Sequence, residues 1–415
     1  MLEGESLVKI LLLAYFAPPL LCPESMLLRR VCLATAPLGA EWYVCTVASW
    51  SSYGKKDYSP SFGLESLENP PQVHRAISLE CLQAPLEGFF LRREPFPDPR
   101  SGWLWLAERK VLSLLRRHSF DLMISRAQPY TSHLLGLLVK KRYPNLPWVS
   151  YFSDPWGDNP YVAEPSPKVL AAEEEVLRKS SQVVVVSDLM RDSLAARYPR
   201  EAQKIGVIPH LYDPSWLNRI SRELEPKEPI EQGSHPLVLT YAGNFYGKRS
   251  PEALFRVLED RAEAIRGRLR VRFVGKMSST FAERGKALFP LVEVLGIKSY
   301  QETNQILRAS QGLLLMDAPL EKSVFLPSKL VDYLALGKPL VAITPRQGAA
   351  WQALEKLPQA NLFDNADTGG LGDFLEDLAL GRRMLQSGDP PGVHALPGGG
   401  SLDGNHEEGS GKPEE

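Results

Sequence analysis

With 415 residues, the chain is too long for one ordinary hydrophobic core and suits two domains of about 200 residues each. It is 44% hydrophobic and 23% charged, a globular balance, and its formal net charge of -1 leaves no global field to attract nucleic acid. Four cysteines (Cys22, Cys32, Cys45, Cys81) show neither CxxC spacing nor the histidine pair of a zinc site, and read as free thiols in a reducing cytoplasm.

The N-terminus, MLEGESLVKILLLAYFAPP, has a short apolar run preceded by glutamates and followed by no small-residue cleavage site, which argues against a signal peptide. No apolar run approaches the roughly 20 residues needed to span a bilayer. The expectation is a soluble chain, or one bound to a membrane surface. VKILLLAYF predicts a buried strand, ESMLLRRVCLATAPLG a helix and WYVCTVAS a second strand. Residues 50–102 are irregular and proline-rich, with one strand expected near VHRAISL. The helix GWLWLAERKVLSLLRRHS follows. After it, FDLMIS, PWVSYFS, QVVVVS and KIGVIP read as strands alternating with TSHLLGLLVKKRY, PKVLAAEEEVLRKS and DLMRDSLAARY as helices. Such alternation implies parallel βαβ units.

Residues 213–235 are polar with several prolines and read as a linker. The alternation restarts at PLVLTYAG and runs through LRVRFVG, VEVLG and GLLLMD to LVAIT. The fold class is therefore α/β, with two Rossmann-like doubly wound domains, 1–212 and 236–380, facing a shared cleft. Residues 381–415, rich in Gly, Pro and acidic residues, read as a disordered tail.

Four stretches could carry chemistry. In SVFLPSKLVDYLALGKP, Pro327 or Ser328 opens a helix whose N-terminus attracts anions. Lys329 adds a charge there, and Asp332, one turn on, could accept hydrogen bonds from a sugar diol. A solvated Lys–Asp pair fits the pattern as well. In LTYAGNFYGKRSPEALF, Gly243 ends a strand and Lys248 with Arg249 precede a helix; an arginine fork suits phosphate, and an ordinary turn with two solvated bases is the other reading. This is no Walker loop, since Arg249 stands where Ser or Thr is required, and neither domain opens on GxGxxG, which disfavours NAD and FAD. No DxD-type carboxylate pair ends a strand to hold Mg²⁺, so no metal and no cofactor are expected. In ISRAQPYTSHLLG, His133 falls in the first turn of a helix. It should be neutral there, either structural or able to hydrogen-bond a hydroxyl. In YFSDPWGDNPY, Asp154 caps a turn or meets a sugar, and Trp156 is core or a platform for a sugar ring.

Taken together, FDLMISRAQPYTSHLLGLLVKKRYPNLPWVSYFSDPW, VVVVSDLMRDSL, KIGVIPHLYD, LTYAGNFYGKRSPE and LPSKLVDYLALGKPL resemble the retaining GT-B glycosyltransferases of family 4, in particular the branch that builds bacterial cell-surface polysaccharides. The similarity runs from about residue 7 to about 365. It implies that the first domain binds an acceptor, a glycan or lipid-linked glycan, and the second a nucleotide-sugar donor. It further implies that Arg249 and Lys329 hold the diphosphate, that Asp332 binds the ribose and that His133 contacts the donor sugar near the reacting carbon. The expected location is the cytoplasm, with the inner face of the plasma membrane as the alternative.

Three departures stand out. Many members carry two glutamates separated by seven residues; here the second is Asp332 and the first is Val324, so Glu321 is the candidate to supply the missing sugar contact. APPLLCPES replaces the usual glycine-rich loop after the first strand. The tail lacks the expected long helix that crosses back to the first domain. Basic clusters at Arg109–Lys110, Arg116–Arg117 and Lys140–Arg142, interleaved with Trp103 and Trp105, are solvated faces or a dock for an anionic membrane. Two other functions use the same architecture, a nucleotide-sugar epimerase and a non-catalytic nucleotide-sugar-binding protein.

Overall fold

Short, continuously apolar runs build the strands, as sheets covered on both faces require. In β1 (Lys9–Leu13) every residue after the lysine is buried, and in β11 (Gly312–Met316) all five are. The computed structural model describes residues 7–36, 39–59, 62–67, 69–80, 96–162, 164–211 and 236–388. The first sheet joins β1 to β2 (Glu41–Val47), β3 (Gln72–Ala76), β4 (Leu122–Ala127), β5 (Trp148–Phe152), β6 (Gln182–Val185) and β7 (Ile205–Val207). Their order is β3-β2-β1-β4-β5-β6-β7, and every pairing is parallel. The crossover helices are α1 (Pro23–Thr35), α2 (Leu104–Arg117), α3 (Thr131–Arg142), α4 (Pro167–Lys179) and α5 (Asp188–Arg197).

The second sheet contains β8 (Leu237–Ala242), β9 (Leu269–Val274), β10 (Val292–Gly296), β11, β13 (Leu340–Ile343) and β15 (Ala360–Phe363), in the order β10-β9-β8-β11-β13-β15, again all parallel. Two short strands, β12 (Lys322–Ser323) and β14 (Gln347–Gly348), pair beside it. Its helices are α6 (Glu252–Asp260), α7 (Ala262–Ile265), α8 (Ser279–Ala287), α9 (Tyr300–Arg308), α10 (Lys329–Ala335), α11 (Ala349–Leu354) and α12 (Thr368–Ala379). The two parallel sheets agree with the α/β fold class expected from the sequence. Beyond LVAIT the chain adds α11, β15 and α12; Leu371, Phe374, Leu375 and Leu378 of α12 join the core that holds Leu254 and Leu258 of α6. The expected linker and the tail beyond residue 388 lie outside the described residues.

Candidate nucleotide-sugar site

In each sheet the strand order reverses once, between β1 and β4 and between β8 and β11. Ligands of open α/β sheets bind outside the carboxyl ends of strands at such points. The loops leaving these strands do converge, on a cavity of about 630 Å³ between the domains.

Cations gather on the second domain's wall. Gly243 ends β8 at φ 145°, a backbone conformation that favours glycine, and a Cβ there would meet Lys329 Nζ at 2.3 Å. Lys329 lies over the Tyr241 ring, its Nζ 3.7 Å from the centroid. That Nζ is buried and has no hydrogen-bond partner among the described residues. Burial first, then the neighbouring Arg249 charge, hold its pKa well below the usual lysine value, against the pull of Asp317. Arg249 pairs with Asp317 at 3.3 Å, and Asp317 also accepts from the Ser323 hydroxyl at 3.1 Å. A buried ammonium without a partner costs free energy. An anion entering beside Lys329 and Arg249 would supply the missing charge.

The extended segment before α10 is held from across the cavity. Ser187 Oγ donates to the Val324 carbonyl at 3.0 Å, His210 Nε2 to that of Leu326 at 3.0 Å, and Arg30 Nη1 to that of Ser328 at 3.3 Å. Side chains of the first domain thus grip alternate carbonyls of the strip that delivers Lys329. Arg30 Nη2 also pairs with Asp332 Oδ1, which accepts from the Tyr300 hydroxyl at 3.1 Å. This ion pair is largely buried, its side chains 4% and 15% exposed. Farther along the cleft, Tyr161 of the first domain stacks on Phe325 at 5.0 Å.

The first domain's wall is acidic. Glu24, in the first turn of α1, accepts from the Ser153 hydroxyl at 3.2 Å. Burial lifts its carboxyl to about 8, opposed by Arg126 and aided by Asp154. Asp154 accepts from Gln128 Nε2 at 2.8 Å, and burial raises it to about 6 against the Arg249 charge.

The expected site residues divide into two groups. Gly243, Arg249, Pro327, Ser328, Lys329, Asp332 and Asp154 all line the cavity. His133, Trp156, Lys248 and Glu321 do not. His133 is fully buried in the first domain's core, 4.3 Å from the Phe152 ring, with Nδ1 hydrogen-bonded to Ser125 Oγ at 2.7 Å. It is neutral as expected, lowered to about 3, but burial rather than its helix position is the cause. The expected contact to a sugar is therefore corrected. Trp156 is core: it stacks on Tyr130 at 4.6 Å, and the Tyr130 hydroxyl pins the turn by donating to the Pro155 carbonyl at 2.7 Å. Lys248 donates to the Pro160 carbonyl at 2.9 Å, and Glu321 is exposed outside the cavity. The helix start is corrected too. Ser328 makes no side-chain cap and α10 spans only 7 residues, so the anion site rests on the Lys329 and Arg249 side chains. Of the aromatic residues among the basic clusters, Trp103 is buried; Trp105 is exposed and carries Arg109 at 4.0 Å over its ring.

The sequence reading missed Glu24, Arg30, Gln128, His210, Tyr300 and Asp317. Only Asp317, directly after the apolar strand GLLLM, and Glu24, in the loop that replaces a glycine-rich turn, carried a positional signal. Among the described residues no group of three His, Cys, Asp or Glu is placed to hold a metal ion, and no helix is long and apolar enough to cross a membrane.

Known structures with this pairing of domains identify the arrangement. HepE from Anabaena, solved with UDP and glucose, superposes with a TM-score of 0.58 over 89% of each chain at 16% identity. The fold is GT-B. The lipopolysaccharide outer core galactosyltransferase WaaB, in its apo form, gives 0.55 at 15% identity, covering 91% of this chain and 92% of its own. TarM gives 0.58 at 10% identity, covering 91% and 94%. Residues 75–216 match the family model described as Glycosyltransferase Family 4. Comparison with curated protein sequences gives no match.

Proposed function

We propose that the protein is a glycosyltransferase that moves a sugar from a nucleotide-sugar donor to an acceptor hydroxyl. The observation that carries this reading is the buried, unpartnered Lys329 beside Arg249 on a cavity between two GT-B domains. The family match within residues 75–216 and the UDP complexes of HepE support it. In this reading Lys329 and Arg249 bind the diphosphate. As the bond to the sugar lengthens, the departing diphosphate gains charge, and these fixed cations stabilise the transition state more than the ground state. The Gly243 backbone leaves the space in which Lys329 sits. Asp317 orients Arg249, and Asp332, held by Arg30 and Tyr300, stands where the ribose would lie.

The finer parts of the proposal are retention at the anomeric carbon, independence of metal, an acceptor in surface-polysaccharide synthesis, and peripheral contact with the membrane through the basic face around Trp105. The test is turnover of UDP- and GDP-sugars without metal, with and without glycan acceptors. Arg249→Ala and Lys329→Ala should each abolish acceptor-dependent transfer, and unchanged turnover would refute the phosphate assignment. Conversion of the donor sugar without any acceptor would point to an epimerase. Binding without conversion would point to a carrier.

A further inference from the structure

Three carboxylates line the cavity among the described residues: Glu24, Asp154 and Asp332. Asp332 is engaged, with one oxygen accepting from both Arg30 and Tyr300. The other two are only partly used. An ionised carboxylate offers about four lone-pair sites. Glu24 Oε2 accepts from Ser153 Oγ, and Asp154 Oδ2 from Gln128 Nε2. Arg126, whose side chain is 4% exposed, approaches Glu24 only to 3.8 Å. Its Nη2 has no hydrogen-bond partner among the described residues. This wall therefore holds spare acceptors, with the buried Arg126 charge behind Glu24. It faces cations that suit a diphosphate. The second domain offers no free carboxylate: Val324 is buried at 7% exposure, and Glu321 lies outside the cavity.

We propose that Glu24, Ser153, Gln128 and Asp154 form the donor-sugar subsite, and that this subsite selects a neutral, hydroxyl-rich sugar over one bearing a carboxylate. The inference rests on the glycosyltransferase reading of the same cavity. Hydroxyl groups donate to the spare carboxylate oxygens of Glu24 and Asp154, and the Ser153 hydroxyl and Gln128 amide line the same wall. A divalent cation is the poorer occupant, since no third ligand stands with these two carboxylates among the described residues and Arg126 and Arg249 already counter their charge. A uronate would bring a like charge into a site with little water to screen it, which is how interfaces reject wrong partners.

Calorimetry tests the subsite with two matched pairs, UDP-glucose with UDP-glucuronate and GDP-mannose with GDP-mannuronate, beside free UDP and GDP. The titrations are repeated at rising pH, since ionisation of both raised carboxyls sharpens the discrimination. For whichever base binds, the neutral sugar should bind about tenfold tighter than the uronate, and Glu24→Gln and Asp154→Asn should each narrow that gap severalfold. Free UDP or GDP should bind these variants as it binds the wild type, which also reports that they are folded. Equal binding of neutral and anionic sugars, or a gap that neither variant narrows, would overturn the subsite while leaving the diphosphate site intact. Failure of both nucleoside diphosphates to bind the wild type, or undiminished binding by Lys329→Ala, would instead overturn the reading on which the subsite rests.

Discussion

The wall of the cavity built by the second domain carries Arg249 and Lys329, whereas the wall built by the first domain carries Glu24 and Asp154. Both walls bury ionisable groups at a cost, yet the cost takes opposite forms. On the cationic wall, Lys329 is left without a hydrogen bond and is held well below the usual lysine pKa. On the acidic wall, the carboxyls keep polar partners, Ser153 and Arg126 for Glu24 and Gln128 for Asp154, and burial still pushes them up, to about 8 for Glu24 and about 6 for Asp154. In the proposed reading the first arrangement takes a diphosphate and the second takes hydroxyls. A site that binds both ends of one substrate divides its charge in this way.

Lys329→Met should separate stability from binding most sharply. Removing the phosphate-facing charge should cost about 100-fold in affinity for a nucleoside diphosphate, measured by calorimetry. The same change should raise the melting temperature of the free protein, because it replaces a buried, unpartnered ammonium with an apolar chain of similar length. A variant that loses stability as well would mean that Lys329 is structural.

Arg30→Ala tests the clasp between the walls. It leaves the largely buried Asp332 without its ion pair and frees one of the three gripped carbonyls. Breaking such a pair costs about 3 kcal/mol, readable in urea unfolding. The loss should fall on the contact between domains, so the variant should also become more open in small-angle scattering.

Glu24→Gln reports on the acidic wall. Its value of about 8 in the folded chain stands well above that of an ordinary glutamate. The stability this carboxyl contributes is therefore full below the unfolded value and is lost as pH rises through the folded one. The melting temperature of the variant relative to wild type should rise between pH 5 and 9. A pH-independent difference would mean that Glu24 is not ionising in a buried site. Asp154→Asn should behave likewise by a smaller amount, with the change completed at a lower pH, because its folded value is about 6.

The cationic wall was largely legible in the sequence and the acidic wall largely was not, for physical reasons. Gly243 at a strand end, a base before a helix, and Lys329 beside Pro327 are local patterns whose meaning depends on backbone geometry within a few residues. The clasp joins Arg30 to Asp332 across 302 positions of the chain, and Arg30 sits in a helix buried along most of its length, next to another arginine, where nothing local marks it. His133 misled for the complementary reason. Its place after a strand looked functional, but whether its ring faced the cleft or the core depended on Phe152 and Ser125, which belong to neighbouring strands. Strand and helix order carried through as far as LVAIT because parallel sheets write their burial as unbroken apolar runs; β10 kept enough of the pattern to be read, whereas β15, half-buried at every residue, was not.

The most direct test of the central claim is the number of protons exchanged when a nucleoside diphosphate binds. Calorimetric titration of the metal-free protein with UDP and with GDP, in two buffers of different ionisation enthalpy, measures it. Burial and the Arg249 charge hold the pKa of Lys329 well below the usual lysine value in the free site, and a diphosphate beside it should raise that value. Binding should therefore take up protons and weaken as pH rises above the free-state value of Lys329. Uptake that disappears in Lys329→Met would establish the site. Binding with no proton exchange, or uptake that persists in that variant, would contradict it.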